Sequence, residues 1–220
     1  MERKLQLSHV LYRTKDLHLA VSRLRNAGFS VEYGTRPEKA YNALIWFENG
    51  VFIEICHNSG LPPYIKGLMK LLGYQSVLDR MNKWEICEEG WCEWSLETTA
   101  DNLDGQKKLF RRENIPFKSH KAKRKDITGQ ILHWYLLMPD DILFPFIMSA
   151  YTPNPRPKEV RHPNGITGVS SLVVGKENLN MALLDKILAD KTGIEWRENK
   201  TGLQTIMLKN TSLKIEDILK

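Results

Sequence analysis

The stretch LQLSHVLYRTKDLHLAVSRLRNAG, residues 5–28, predicts a β-strand followed by an α-helix. Residues 5–14 are rich in side chains that favour strands. Asp16 is a suitable N-cap, apolar residues recur after it at helical spacing, and Gly28 supplies the stop. One histidine, His9, lies in the middle of the apolar strand. A titratable ring at such a position needs either a partner or a function.

Three more strands are predicted after this helix, at residues 29–33, 43–47 and 51–56. Asn49 and Gly50 separate the last two strands, and an Asn-Gly pair between apolar runs is the strongest short signal for a hairpin. We therefore expect these two strands to pair in the antiparallel direction. The first part of the chain thus reads as one βαβββ unit.

The same order of elements returns at residues 91–151 and again at residues 165–220. Aligned on the first leucine of each predicted helix, the copies place Ser95 and Ser171 at the position of His9. The sequence therefore predicts three related units, of which only the first carries a histidine at this position.

The predicted fold class is α+β, with tandem βαβββ units and segments of another kind between them. Apolar residues at helical spacing after Pro63 indicate an inserted helical segment, while the Pro-rich run at 152–157 can continue neither a helix nor a sheet. The last strand of the third unit is predicted at residues 213–218. We expect a first βαβββ unit at residues 1–58, a helical insertion at 59–90, a second βαβββ unit at 91–151, a Pro-rich linker at 152–164 and a third βαβββ-like unit at 165–220.

The composition is that of an ordinary packed globule, since 42% of the 220 residues are hydrophobic and the net charge is +6. The sequence contains no apolar run long enough to span a membrane, and residues 1–4 lead into the first strand without the apolar stretch of a secretory signal. We expect a cytoplasmic protein with no membrane partner. The three cysteines form no CxxC pair and are expected to be reduced, buried packing residues.

Much of the positive charge lies in one basic run, residues 118–125. The run contains no aromatic residue on which a base could stack, and it stands between two apolar segments. A solvated loop or an edge strand is therefore favoured over a polyanion site. A nucleic-acid partner is disfavoured.

Tandem βαβββ units of this size resemble the vicinal oxygen chelate superfamily, which includes glyoxalase I, extradiol dioxygenases and bleomycin-resistance proteins. More narrowly, the chain resembles the glyoxalase-like domain branch of bacterial proteins. The resemblance implies curled mixed β-sheets around a cleft with the helices on the outside, a small-molecule ligand and a homodimer as one way of pairing units. It is carried by residues 7–31, 41–44, 51–55, 94–117, 143–147 and 162–165.

The resemblance also implies a metal site. In the superfamily a metal is held by a His or Gln in the first strand and a Glu in the last strand of each half. These positions are His9 and Glu54 in the first unit, but Ser95 replaces the histidine in the second unit and residues 143–146 contain no carboxylate. Additional candidate ligands are Tyr41, which stands where the narrower branch often has histidine, His133, Glu97 and Glu216.

The residues leave two chemistries open for His9 and Glu54. With a divalent metal, for which mixed N/O ligands suit Zn, Ni, Mn or Fe, the site would polarise vicinal oxygens of a substrate while Glu54 moves a proton, as in a lyase, isomerase or dioxygenase. Without a metal, the two side chains would form an acid–base dyad or a satisfied polar pair. A non-catalytic small-molecule binding or resistance protein is the alternative function. No nucleotide cofactor is expected.

Overall fold

The computed structural model describes residues 4–48, 50–190 and 193–220. Strands and helices are mixed along the chain, which confirms the predicted α+β class. An eight-stranded sheet curls around the candidate site, and a second sheet has three strands. Residues 1–3 of the predicted N-terminal segment, and Asn49 of the predicted hairpin turn, lie outside the described residues.

The first part of the chain forms four strands of the large sheet and one helix. The antiparallel pairing of its last two strands is confirmed, since Ala43 lies opposite Ile55 and Ile45 opposite Ile53. Asp16 caps the helix as predicted, because its carboxylate accepts a hydrogen bond from the Leu19 amide at 2.9 Å. The elements are β1 Gln6–Arg13, α1 Leu17–Asn26, β2 Glu32–Tyr33, β3 Asn42–Ile45 and β4 Phe52–Cys56, with a 3-10 turn at Pro37–Lys39.

Two helices follow, α2 Pro63–Leu71 and α3 Gln75–Ile86. No residue of α2 is buried, whereas α3 buries several side chains, including Arg80 and Met81. Helix α3 is therefore the part of this segment that packs on the sheet and positions side chains near the site.

The second part of the chain adds four more strands to the same sheet. Strand β1 pairs in parallel with β4 and antiparallel with β5, so the two parts join edge to edge in the middle. The sheet order is β2-β3-β4-β1-β5-β8-β7-β6. The basic run forms most of β6, an edge strand, as one of the two predicted alternatives has it. The elements are β5 Gly90–Glu97, α4 Asp104–Arg112, β6 Phe117–Lys125, β7 Ile131–Pro139 and β8 Phe146–Met148.

The last part of the chain forms the three-stranded sheet, in the order β10-β9-β11. The strand predicted at residues 213–218 is wrong, because this segment contains a helix. Ile215 and Leu219 are buried four residues apart, which is helical spacing, while Leu213 is exposed. The elements are β9 Val169–Lys176, α5 Met181–Ile187, β10 Ile194–Arg197, β11 Thr201–Leu208 and α6 Ile215–Leu219.

One large apolar core joins the three parts of the chain. The first and last parts are also linked by their backbones, since the Leu5 amide donates to the Ile187 carbonyl at 2.7 Å and the Leu5 carbonyl accepts from Ala189 at 2.7 Å. The three cysteines are free, but only Cys56 is fully buried, so the prediction of three buried cysteines holds for one of them. Within the described ranges, no helix is long and apolar enough to cross a membrane.

Candidate functional site

A break in strand pairing positions His9. Strand β1 pairs Leu7 with Leu96 and Val10 with Trp94 on β5, so Ser8 and His9 together face the single residue between them, Ser95. Such a β-bulge turns side chains away from the regular alternation and is common beside active sites. As a result, the neighbouring side chains of Ser8 and His9 both enter the same polar network.

The ring of His9 is held on one nitrogen and stacked on one face. Its Nδ1 atom lies 2.7 Å from Ser95 Oγ and 3.0 Å from Ser8 Oγ. The ring stacks on Phe52, with centroids 4.4 Å apart. Ser95, which occupies in the second unit the position of His9 in the first, therefore supports the histidine directly.

The hydroxyl of Ser8 favours one tautomer of His9. Ser8 donates to Glu97 Oε2 at 2.9 Å, and Glu97 in turn accepts two hydrogen bonds from Arg156 at 2.9 and 2.8 Å. Since the Ser8 proton is directed to Glu97, its oxygen is an acceptor for the His9 Nδ1–H group. Ser95 Oγ can direct its own proton to the His9 carbonyl at 3.4 Å, and in this tautomer Nε2 has a free lone pair on the side of Glu54.

Burial keeps His9 uncharged. Desolvation lowers the pKa of His9 to about 3, and the positive charges of Arg156 and Arg124 act in the same direction. The ring is therefore neutral at neutral pH. A neutral imidazole with one nitrogen fixed by hydrogen bonds can bind a metal or exchange a proton through the other nitrogen.

Glu54 faces that other nitrogen. In the parallel pair of β1 and β4, His9 lies opposite Phe52 and Leu11 opposite Glu54, so His9 and Glu54 are diagonal neighbours. His9 Nε2 lies 3.7 Å from Glu54 Oε2, which is too long for a hydrogen bond. Asn42 Nδ2 donates to the other carboxylate oxygen at 2.8 Å. Burial raises the pKa of Glu54, which brings this carboxyl closer to the range of a general base.

The two side chains open into a cavity of about 150 Å³. A cavity of about this volume holds a benzene molecule in another protein, so the space suits a ligand of roughly six non-hydrogen atoms. Strand β7 contributes Trp134, Leu136 and Met138 to the lining. Helix α3 adds Met81 and Trp84, and thereby covers one side of the cleft. The remaining polar lining residues are Tyr41, Asn58, Ser59 and Tyr151.

The additional candidate ligands do not all lie in this cavity. Tyr41 lines it, and Glu97 joins the site through Ser8 but is bound to Arg156. His133 lies on the other face of β7, because side chains alternate along a strand and its neighbour Trp134 faces the cavity.

The third-unit candidate Glu216 belongs to a different part of the molecule. It lies on α6, where it accepts hydrogen bonds from Trp91 Nε1 at 3.1 Å and Thr205 Oγ1 at 2.5 Å. It lines a separate groove of about 480 Å³ rather than the cavity of His9. The expectation that Glu216 ends a strand equivalent to that of Glu54 is wrong, because the segment is helical.

Two arginines near the site have no local sequence signal. Arg156 comes from the Pro-rich segment and binds Glu97, and Arg124 comes from the basic run on β6. The tyrosine that follows β8, Tyr151, also lines the cavity. Each reaches the site from a distant point of the sequence, so only the folded sheet reveals it. Half-buried and exposed residues alternate along β6, and Arg124 is on the half-buried side. This pattern could have pointed to Arg124, but only once the strand itself was known.

His9 and Glu54 fit two positions of a divalent-metal site. Their separation of 3.7 Å lies within the reach of two metal–ligand bonds of about 2.1 Å each. Among residues 4–48, 50–190 and 193–220, however, no group of three His, Cys, Asp or Glu side chains is placed to hold a metal. Burial raises the pKa of Tyr41, so its phenol is a weak third ligand. The remaining positions of such a metal would fall to water or substrate oxygens.

Comparison with solved structures shows where this fold occurs. A hypothetical protein from Staphylococcus aureus aligns with a TM-score of 0.64 and 13% identity, over 95% of this chain and 92% of the other. The Mn(II)-bound glyoxalase from Novosphingobium aromaticivorans aligns with a TM-score of 0.55 and 11% identity, over 100% of this chain and 70% of the other. No curated protein sequence matches.

At these identities the structural matches show the fold alone. The sequence itself matches a family model, described as a glyoxalase-like domain, over residues 7–188. That range holds β1 with His9, β4 with Glu54 and all strands of the large sheet. The resemblance to the vicinal oxygen chelate superfamily is confirmed, and the chain belongs to the glyoxalase-like domain family.

Proposed function

We propose that this protein is an enzyme that moves a proton on a small oxygen-bearing metabolite, with His9 and Glu54 at the reaction centre. The observation that supports the proposal most strongly is the pairing of these two side chains at the cavity, with His9 kept neutral and the pKa of Glu54 raised by burial. A carboxylate with a raised pKa is suited to accept a proton near neutral pH.

In this proposal Glu54 takes a proton from the carbon next to a carbonyl group, and Asn42 keeps the carboxylate pointed at the substrate through its hydrogen bond to Oε1. His9 faces the substrate with Nε2, because Ser8 and Ser95 hold Nδ1. A divalent metal bound by His9 and Glu54 would polarise vicinal oxygens of the substrate and stabilise the resulting enediolate. Stabilisation of an enediolate suits a lyase or an isomerase, whereas a dioxygenase would bind a catecholate at such a metal.

Exchange of substrate protons with deuterated water tests the proposal without knowledge of the product. Hydroxyacetone, dihydroxyacetone and hydroxypyruvate each carry C–H groups next to a carbonyl, and NMR reports the loss of their proton signals in D₂O. We expect enzyme-dependent exchange with at least one of them, in the presence of Mn²⁺, Zn²⁺ or Ni²⁺. Glu54→Gln should slow it by about 100-fold or more, the usual contribution of a general base.

Glu216→Gln is the matched control for this experiment. It removes a half-buried carboxylate of the same kind from the separate groove and should leave the exchange rate unchanged. If no compound exchanges faster than in buffer with any of the metals, the proposed proton transfer is refuted. If Glu54→Gln exchanges as fast as the wild type, Glu54 is not the base.

Elemental analysis of protein purified without chelator tests the metal. We expect about one divalent ion per chain, lost in His9→Ala and in Glu54→Ala. If the wild-type protein is metal-free and also fails to bind added Mn²⁺, the proposal is restricted to an acid–base dyad of His9 and Glu54. Proton exchange measured in the presence of a chelator then tests that dyad.

A second function, ligand binding or resistance without catalysis, is favoured by the mainly apolar and aromatic lining of the cavity. It predicts ligand-induced thermal stabilisation that survives His9→Ala. Stabilisation that always requires His9 would instead favour the enzyme.

A further inference from the structure

The cavity wall carries hydroxyl donors that have no acceptor among the described residues. Tyr41 and Tyr151 both line the cavity, and neither phenol forms a hydrogen bond to any residue that the structure describes. Burial raises the pKa of both, and for Tyr41 the nearby Glu54 carboxylate adds to the effect. Both phenols therefore keep their protons and remain donors. Glu54 is the one carboxylate among the described residues that line the cavity, and Asn42 already binds its Oε1 atom.

Arg124 carries further donors on the same face of the large sheet, because it pairs with Leu132 on β7, two residues from Trp134 of the cavity lining, although Arg124 is not itself a lining residue. It lies on β6, at one edge of the large sheet, and its Nη1 donates to the Gly34 carbonyl at 2.7 Å, just beyond β2 at the other edge. Gly34 permits this contact, because a Cβ atom there would overlap Arg124 Nη1 and Asn42 Oδ1. The guanidinium therefore lies beside Asn42, the residue that holds Glu54.

The charge of Arg124 is not balanced by a carboxylate. The other arginines around the cleft have partners, Arg156 with Glu97 and Arg80 with Glu93, each at 2.8 Å. For Arg124, the described part of the chain contains no carboxylate within ion-pair distance. Burial is the main influence on the pKa of Glu54 and Tyr151, and the positive charge of Arg124 opposes it in both, although Arg124 forms an ion pair or hydrogen bond with neither.

An anionic acceptor would satisfy these groups together. On the basis of the proposed function, we infer that the substrate is a small carboxylic acid with a second oxygen on the adjacent carbon, and that Arg124 and the Tyr151 hydroxyl receive its carboxylate. Glu54 then faces the adjacent carbon, away from the negative charge. The cavity of about 150 Å³ accommodates an acid of this size.

Binding of lactate and of its uncharged isostere lactamide tests this inference. Both have six non-hydrogen atoms, and they differ at the group that Arg124 is inferred to receive. Dissociation constants are measured by ligand-observed NMR for the wild type, Arg124→Gln and Lys123→Gln, with thermal melting to check folding. Lys123 is the matched control, since it is the exposed neighbour on the same strand and its loss removes the same charge.

We expect the wild type to bind lactate at least ten times more tightly than lactamide. Arg124→Gln should reduce this ratio to below three while leaving lactamide binding unchanged, and Lys123→Gln should preserve the ratio. The inference is overturned if the wild type binds the two ligands equally, or if Arg124→Gln keeps the wild-type preference. It is also overturned if neither ligand binds at about 50 millimolar, near the weak end of measurable affinity. Because this readout is binding, its failure is separate from failure of the proton-exchange test, which uses Glu54→Gln.

Discussion

The buried, neutral state of His9 has a measurable effect on folding stability. The pKa of His9 is lowered to about 3 in the folded protein, from 6.5 for an ordinary histidine. In the unfolded chain this ring binds a proton below pH 6.5, whereas in the folded protein it does not until about pH 3. The unfolded state therefore gains protons first as the pH falls, and the folded state loses stability between pH 6.5 and pH 3.

The size of the effect follows from these two values. Linkage with a folded-state pKa of about 3 and an unfolded-state pKa of 6.5 gives a loss of about 2 kcal/mol between pH 7 and pH 5. His9→Gln removes the titrating ring, and so removes this contribution. The raised pKa of Glu54 acts in the opposite direction, stabilising the fold at lower pH, but it is present in both proteins and cancels in the comparison.

Urea unfolding at pH 5 and pH 7 measures the difference. We expect the wild type to lose about 2 kcal/mol more than His9→Gln on going from pH 7 to pH 5. His18→Gln, which changes an exposed histidine of α1, is the control and should follow the wild type. If the wild type and His9→Gln show the same pH dependence within about 0.5 kcal/mol, a neutral buried His9 is refuted.

Two further predictions concern residues that support the site. Arg80 is fully buried and donates to Glu93 and to the carbonyls of Asp141 and Phe144. Arg80→Met should therefore lower the free energy of unfolding in urea by about 3–5 kcal/mol. Lys83→Met, which removes the half-buried second partner of Glu93, should lower it by about 1 kcal/mol or less. Equal costs would contradict the role given to Arg80. Gly34→Ala should lower both the melting temperature and the preference for lactate over lactamide, since the new methyl group displaces Arg124 and Asn42. The control is Gly67→Ala, in an open position on α2, which should stabilise the protein by about 0.5–1 kcal/mol. If Gly34→Ala keeps the wild-type preference for lactate, the contact with Gly34 does not position Arg124 for the ligand.

The sequence predicts the parts of the site that depend on local pattern. His9 and Glu54 can be paired in advance because each lies on a strand with a clear apolar pattern, and because the superfamily resemblance assigns both positions to one site. The structure places them as diagonal neighbours on adjacent strands. The capped helix after β1 and the hairpin of β3 and β4 are also encoded within a few residues, by Asp16 and by the apolar runs around Gly50.

Other features depend on long-range packing and carry no local signal. The bulge at Ser8 and His9 exists only because β1 pairs with β5, almost ninety residues away, as the separation of 86 between Ser95 and His9 shows. Arg124 contacts Gly34, and Arg156 binds Glu97, only because the fold brings distant segments of the chain together. Segment 213–218 was assigned to the wrong element for a local reason: a short apolar run fits a strand or a helix equally well until its burial pattern is known.

A double-mutant cycle on the proton-exchange rate tests the central claim, that His9 and Glu54 act as one reaction centre. The rate is measured for the wild type, His9→Ala, Glu54→Ala and the double variant, with the exchanging substrate and metal from the first assay. We expect each single change to slow exchange by about 100-fold or more and the double variant to be no slower than the slower single variant, because removing one member disables the pair. Effects that multiply in the double variant, or a single variant with the wild-type rate, would contradict a shared centre.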